Sequence, residues 1–146
     1  MPIDLPDFQY GFSIIPRTAL KPNQSSYFAT TSFQVPPNSS ALIKIGLGFS
    51  ISEEWIPIGK KFSIWYVSFT ANDNCLLETG IAVEMKNNPG QYTFLALKHG
   101  YGIAEYLSGI FFDFEQETRP VYYVYNFSNK TITVFLTVFG VTEVII

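Results

Sequence analysis

The sequence predicts an all-β fold, an antiparallel two-sheet sandwich of jelly-roll or immunoglobulin-like type with about eight strands. Three observations carry this. Apolar residues recur at every second position over long stretches, the period of a strand with one buried face. The 9 prolines and 10 glycines of the 146 residues fall mainly between those stretches, where turns are expected. Helical periodicity is missing: residues 101–114, the one segment open to a helical reading, contain Gly102, Gly109 and the run Phe111-Phe112-Asp113-Phe114, and read as strand or loop. Strands in unbroken succession close into a sandwich or barrel. No repeat of 20 to 50 residues is present, which removes propellers and solenoids.

Taken in order, residues 1–7 (Met-Pro-Ile-Asp-Leu-Pro-Asp) read as an extended arm and residues 8–146 as one sandwich domain. Strands are expected at 8–15 and 27–35. In 41–51, Ala41, Ile43, Ile45, Leu47, Phe49 and Ile51 alternate with residues that include Lys44, Gly46, Gly48 and Ser50, a strand with one buried face. Segment 62–71 (FSIWYVSFTA) is rich in the aromatic and β-branched residues that suit a pleated surface. Segments 76–85 and 91–98 flank Asn87-Asn88-Pro89-Gly90 and read as a hairpin, because Pro presets φ and Gly or Asn accepts a positive one. Segments 121–127 and 131–139 flank Ser128-Asn129-Lys130 and read as a second hairpin. The tail 141–146 supplies a last strand. A chain of this length buries roughly 70% of the surface its unfolded form exposes, enough for a core without metal or disulfide staples.

Charge is scarce: 14% of residues, against about 25% in an average soluble domain. The net charge of −3 comes from 9 basic and 12 acidic residues with no long run of either, so no basic footprint for a nucleic acid is present. The longest strongly apolar uncharged stretch, 131–142, is well short of the roughly 20 residues a membrane-spanning helix needs. An acidic N-terminus with two prolines does not fit a secretory leader. The single Cys75 has no intramolecular partner and reads as a small buried hydrophobe.

The charge deficit is uneven, and this points to partners. A sandwich strand ordinarily turns one face to the core and one to water. In 62–71, however, one face carries Phe62, Ile64 and Tyr66 and the other Trp65, Val67 and Phe69, while 121–129 has no charge at all. Contiguous apolar surface rich in Tyr, Trp and Phe marks an interface. Trp65, Val67, Phe69, Tyr122, Tyr123, Tyr125, Phe135 and Phe139 are therefore expected at an interface between copies of the chain; the competing reading is that loops or the arm of the same chain cover them.

Chemistry is thinly represented. His99, the one histidine, has no nucleophile in a recognisable setting, and no metal-ligand or phosphate-loop pattern occurs, so no catalytic residue, cofactor or metal is expected. Asp113, Glu115 and Glu117 alternate and would share a face on a strand, where they form a weak candidate Ca²⁺ site; a solvent-facing polar edge accounts for them better. Four N-x-[ST] sequons, at Asn23, Asn38, Asn126 and Asn129, exceed the roughly one expected from composition and are candidate glycan acceptors.

In general style, the arm 1–7 and the Tyr/Thr/Val-rich segment 121–139 resemble the small single-domain sandwich and jelly-roll proteins that build virions, notably those of viruses infecting archaea. The resemblance implies a non-enzymatic structural protein of a virus particle, a capsid, vertex, turret or tail component, located in a virion or at an extracellular surface. It implies a homo-oligomer in contact with other particle proteins. The alternative is a carbohydrate-binding or host-attachment sandwich, in which Trp55, Trp65, Tyr92, Tyr101 or Tyr122 stacks on a glycan.

Overall fold

A computed structural model describes residues 20–49 and 54–145. Among the described residues eight strands follow one another: β1 (Gln24–Val35), β2 (Ser39–Ile43), β3 (Lys60–Ala71), β4 (Leu76–Met85), β5 (Asn88–Tyr101), β6 (Ile103–Phe114), β7 (Thr118–Asn126) and β8 (Ile132–Val144). They form two four-stranded antiparallel sheets, β1-β8-β3-β6 and β2-β7-β4-β5. No helix among the described residues is long and apolar enough to cross a membrane. The expected arm 1–7 and strand 8–15 lie outside the described residues.

The wiring distinguishes the two sandwich types. β1 pairs with β8, β2 with β7, β3 with β6 and β4 with β5, so the chain doubles back at the β4–β5 turn into a long ribbon. The ribbon then rolls up, and the added pairs β3·β8 and β4·β7 place alternate turns of the roll in opposite sheets. This is a jelly roll rather than an immunoglobulin-like sandwich.

The hairpin expected at 121–139 is accordingly corrected. β7 and β8 are consecutive, but they belong to different sheets, and residues 127–131 carry the chain across the end of the sandwich. Asn126 holds this crossing. Its side chain is fully buried, its amide donates to the carbonyls of Val35, Pro36 and Lys130 at 3.2, 3.2 and 2.7 Å, and its oxygen accepts from the Ser128 backbone and hydroxyl. The hairpin expected at 76–98 is present, with β4 and β5 joined through Lys86 and Asn87, so that Asn88, Pro89 and Gly90 of the expected turn open β5 instead.

Two other segments depart from simple alternation. The strand expected over 41–51 ends at Ile43, and Gly48 adopts φ +83°. The alternating apolar residues still serve the core: Leu47 is buried and Ile45 and Phe49 pack against the cluster, closing one end of the sandwich as irregular chain. In β3 a bulge falls between Ile64 and Tyr66. A bulge adds one residue and reverses the inside-outside parity beyond it. Phe62 and Ile64 before it and Val67 and Phe69 after it therefore all face the core, each fully buried. The apparent second apolar face of this strand is the same face on either side of a bulge, with Trp65 tucked in as the extra residue, 8% exposed.

β8 runs unbroken through Gly140, where two strands were expected. A Cβ there would overlap the carbonyl oxygen of Ser63 in β3, so the bulged region of β3 can lie against β8 only where β8 has no side chain. The core is built from Tyr27, Val35, Phe62, Ile64, Val67, Phe69, Leu77, Ile81, Tyr122, Val124 and the β8 row Ile132, Val134, Leu136 and Val138. A polar link crosses it: the buried hydroxyl of Tyr106 in β6 donates to the Thr79 carbonyl of β4 at 2.7 Å and lies 3.0 Å from the Thr79 hydroxyl.

Candidate assembly face

The register of β2-β7-β4-β5 organises its outer surface into rows. Val121–Ala82–Phe94 forms one row and Leu42–Tyr123–Gly80–Leu97 the next, each made of directly opposed residues. Phe94 and Leu97 lean over Gly80, where a Cβ would come within 2.8 Å of Leu97 Cδ2 and 3.3 Å of Phe94 Cδ1. The glycine and Ala82 thus form a low floor on which the larger side chains settle. Phe94 meets Tyr123 edge to face, with ring centres 5.2 Å apart. The two rows leave Leu42, Phe94 and Leu97 between 41 and 53% exposed. Phe127, 45% exposed, extends the surface from the end of β7 and packs on Tyr125 at 4.6 Å.

Polar rows border the apolar ones. On one side lies Ser40–Tyr125–Glu78–His99. The Glu78 carboxylate accepts from the Tyr123 hydroxyl at 3.0 Å and lies 3.2 Å from His99 Nε2, and the Tyr125 hydroxyl donates to the Asn38 carbonyl. Burial first, and then the neighbouring carboxylate, push the Tyr123 hydroxyl up to about 12. On the other side lies Arg119–Glu84–Tyr92. Arg119 Nε donates to Glu84 at 2.8 Å, the Gly90 amide donates to the second carboxylate oxygen at 2.8 Å, and Lys44 Nζ stands 3.5 Å away. The Arg119 guanidinium lies 4.0 Å from the centre of the Trp55 ring. A cleft of about 390 Å³ lined by Lys44, Ile45, Gly46, Leu47, Glu54 and Arg119 opens beside this cluster.

The outer surface of β1-β8-β3-β6 differs in pattern. Its aromatic row Phe28–Phe139–Tyr66 is separated from Ser32–Phe135–Thr70–Ile103 by the hydroxyl-bearing row Thr30–Thr137–Ser68–Glu105. Apolar rows are adjacent on one sheet and interrupted on the other.

The eight residues expected at an interface are thus not brought together. Val67, Phe69 and Tyr122 are core residues and Trp65 is buried, so none of these four presents an interface. Tyr123 and Tyr125 lie half-buried on the outer face of β2-β7-β4-β5, and Phe135 and Phe139 on that of the opposite sheet. Leu42, Gly80, Phe94, Leu97, Phe127 and the Glu78–His99 pair were missed. The sequence signal for two of them, Phe94 and Leu97, was the run Phe94-Leu95-Ala96-Leu97, apolar on both parities of a strand next to a turn.

Among the described residues no group of three or more His, Cys, Asp or Glu side chains is placed to hold a metal. The candidate Ca²⁺ trio is corrected for a local reason. β6 ends at Phe114, and Glu117 takes φ +61° in the following turn, so the alternation does not continue. Asp113 instead accepts from the Ser63 hydroxyl at 2.6 Å, and Glu117 faces Lys86 at 3.9 Å. Of the sequons, Asn23, Asn38 and Asn129 are exposed, whereas the enclosed amide of Asn126 is no glycan acceptor in the folded chain. Of the residues proposed to stack on sugars, Trp65 and Tyr122 are buried, Trp55 is stacked by Arg119, and Lys44 lies 5.7 Å from the Tyr92 ring centre; Tyr101 is 67% exposed.

No family model matches this sequence, and no curated protein matches it. Among solved structures, the chain is similar to the Yersinia pseudotuberculosis-derived mitogen, with 8% identity over 78% of this chain and 86% of that one at a TM-score of 0.47. It is also similar to the BFDV capsid protein, in a structure described as decameric, with 8% identity over 82% of this chain and 97% of that one at a TM-score of 0.45.

Proposed function

We propose that the chain is a non-enzymatic structural protein of a virus particle, a capsid, vertex, turret or tail component, that assembles with copies of itself through the outer face of β2-β7-β4-β5. The observation that carries this reading is the pair of adjacent apolar rows on that face. Jelly rolls serve as shell proteins, lectin domains and enzymes alike, so the fold alone does not choose among them.

Size supports the reading. Leu42, Phe94, Leu97 and Phe127, each near half exposed, together with the half-buried Tyr123 and Tyr125 expose on the order of 400 to 500 Å². That is as large as the largest apolar patch on a typical monomer, which is often functional. It falls short of the about 800 Å² that each partner contributes to a standard interface, so a stable contact also covers the flanking polar rows.

Two experiments test this. Electron microscopy of the purified chain at rising concentration should show rings or shell fragments, and monomers at every concentration would contradict self-assembly. Immunogold labelling with an antibody to the chain should decorate particles from the source culture; labelling confined to cells would contradict the virion role.

A further inference from the structure

The polar row that borders the apolar rows contains the one histidine of the sequence, His99, whose side chain is 61% exposed and 3.2 Å from Glu78, an ion pair when the imidazole carries a proton. Glu78 itself is 25% exposed and already accepts from Tyr123. Phe127 stands beside the imidazole, ring centres 6.2 Å apart, and Leu97 lies two residues along the same strand. A partner seated on the apolar rows therefore covers this pair as well.

We propose that assembly through this face takes up a proton at His99 and so strengthens as pH falls. The inference rests on the assembly reading above and names a regulation of that same face. Its physical basis is the cost of burying charge. With His99 neutral, covering the row strips water from the Glu78 carboxylate and leaves one negative charge with no cation beside it. With His99 protonated, the same act covers an ion pair already within hydrogen-bond reach. The protonated form thus binds its partner more tightly.

Among the described residues, no other cation forms an ion pair with Glu78. On β4 the facing group is Glu78. On β7 the facing groups are the hydroxyls of Tyr125 and of Tyr123, the latter pushed up to about 12 by burial and by Glu78. On β5 itself, Lys98 is engaged elsewhere, its Nζ donating to the Glu105 carbonyl of β6 at 2.8 Å, while the Glu105 carboxylate accepts from the Tyr66 hydroxyl of β3. Beyond β4 and β8, the Asp73–Lys130 pair is internally neutralised at 2.8 Å.

The sign follows from linkage. A histidine whose proton is held more tightly in the assembly than in the free chain adds affinity at low pH that is lost as pH rises. Sedimentation equilibrium of the intact chain at about pH 8 and about pH 5.5 measures this, using wild type, His99→Gln and Glu78→Gln. The expected result is a dissociation constant lower by about tenfold or more at the acid pH for wild type, with the difference shrinking to about twofold or less in both variants. His99 is exposed, so its replacement leaves the fold intact; circular dichroism and thermal melting check this for both variants.

Two different failures are distinguishable. Association that is equally strong at both pH values, or whose pH dependence survives in His99→Gln, overturns the proton linkage and leaves the assembly reading standing. A monomer at both pH values overturns the two together.

Discussion

Arg119 donates from Nε to Glu84 at 2.8 Å at a place where the Glu84 side chain is 2% exposed. Burial alone would raise the Glu84 carboxyl, but Arg119, the Gly90 amide and Lys44 outweigh it and hold it below the usual range. The pair joins β4 to β7 and ties both to the start of β5. Removing one partner leaves a buried charge, so Arg119→Met should cost about 3 to 5 kcal/mol in urea unfolding, and Arg119→Met with Glu84→Leu less than that. A double variant as unstable as the single one would show that the cost is lost packing.

The same carboxylate sets an acid limit. Its folded value lies below the ordinary 4.5, so its contribution is full above that value and is lost as pH falls through the folded value. Thermal melting should fall more steeply below about pH 4.5 in wild type than in the double variant, which has no Glu84 to protonate. Equal acid slopes would remove Glu84 from the account.

Asn126 gathers three carbonyls from two connections with one amide. Asn126→Ala removes all three donations together with the acceptor for Ser128 and should cost about 3 kcal/mol, with Asn126→Asp no better, since it supplies no donors. When the chain is produced in a host that glycosylates, peptide mapping of folded protein should find glycan only at Asn23, Asn38 or Asn129. Glycan at Asn126 on folded protein would contradict the crossing described here.

Gly140 and Gly46 provide a matched pair. At Gly140 a Cβ meets the backbone of β3, whereas at Gly46 nothing lies within 4 Å. Gly140→Ala should destabilise by about 2 kcal/mol or more and Gly46→Ala by no more than about 0.5 kcal/mol. Similar costs at both positions would mean that the bulge in β3 yields readily.

The fold class was legible because alternation is a local property. Residues 27–35, 62–71 and 76–98 announce their strands through their own spacing. Partnership was not legible, since nothing in 121–139 reports that its two halves join different sheets; the deciding group, Asn126, is one polar residue that reads equally well as a turn former or a glycan acceptor. The site was half legible for a related reason. Counting parity along β3 requires knowing where the extra residue sits, and Trp65 looks like any other strand residue until its neighbours are in register. Tyr123 and Tyr125 were found from their own strand, but the row Leu42–Tyr123–Gly80–Leu97 draws on four segments that only topology aligns.

The assembly face is tested most directly by sedimentation velocity on wild type and two charge insertions, Leu97→Glu on β5 and Phe28→Glu on β1, side chains that are 53 and 58% exposed on opposite sheets. Wild type at tens of micromolar should sediment as an oligomer, Leu97→Glu as a folded monomer, and Phe28→Glu like wild type. A monomeric wild type, or an oligomer that Phe28→Glu disrupts and Leu97→Glu leaves whole, would contradict the account.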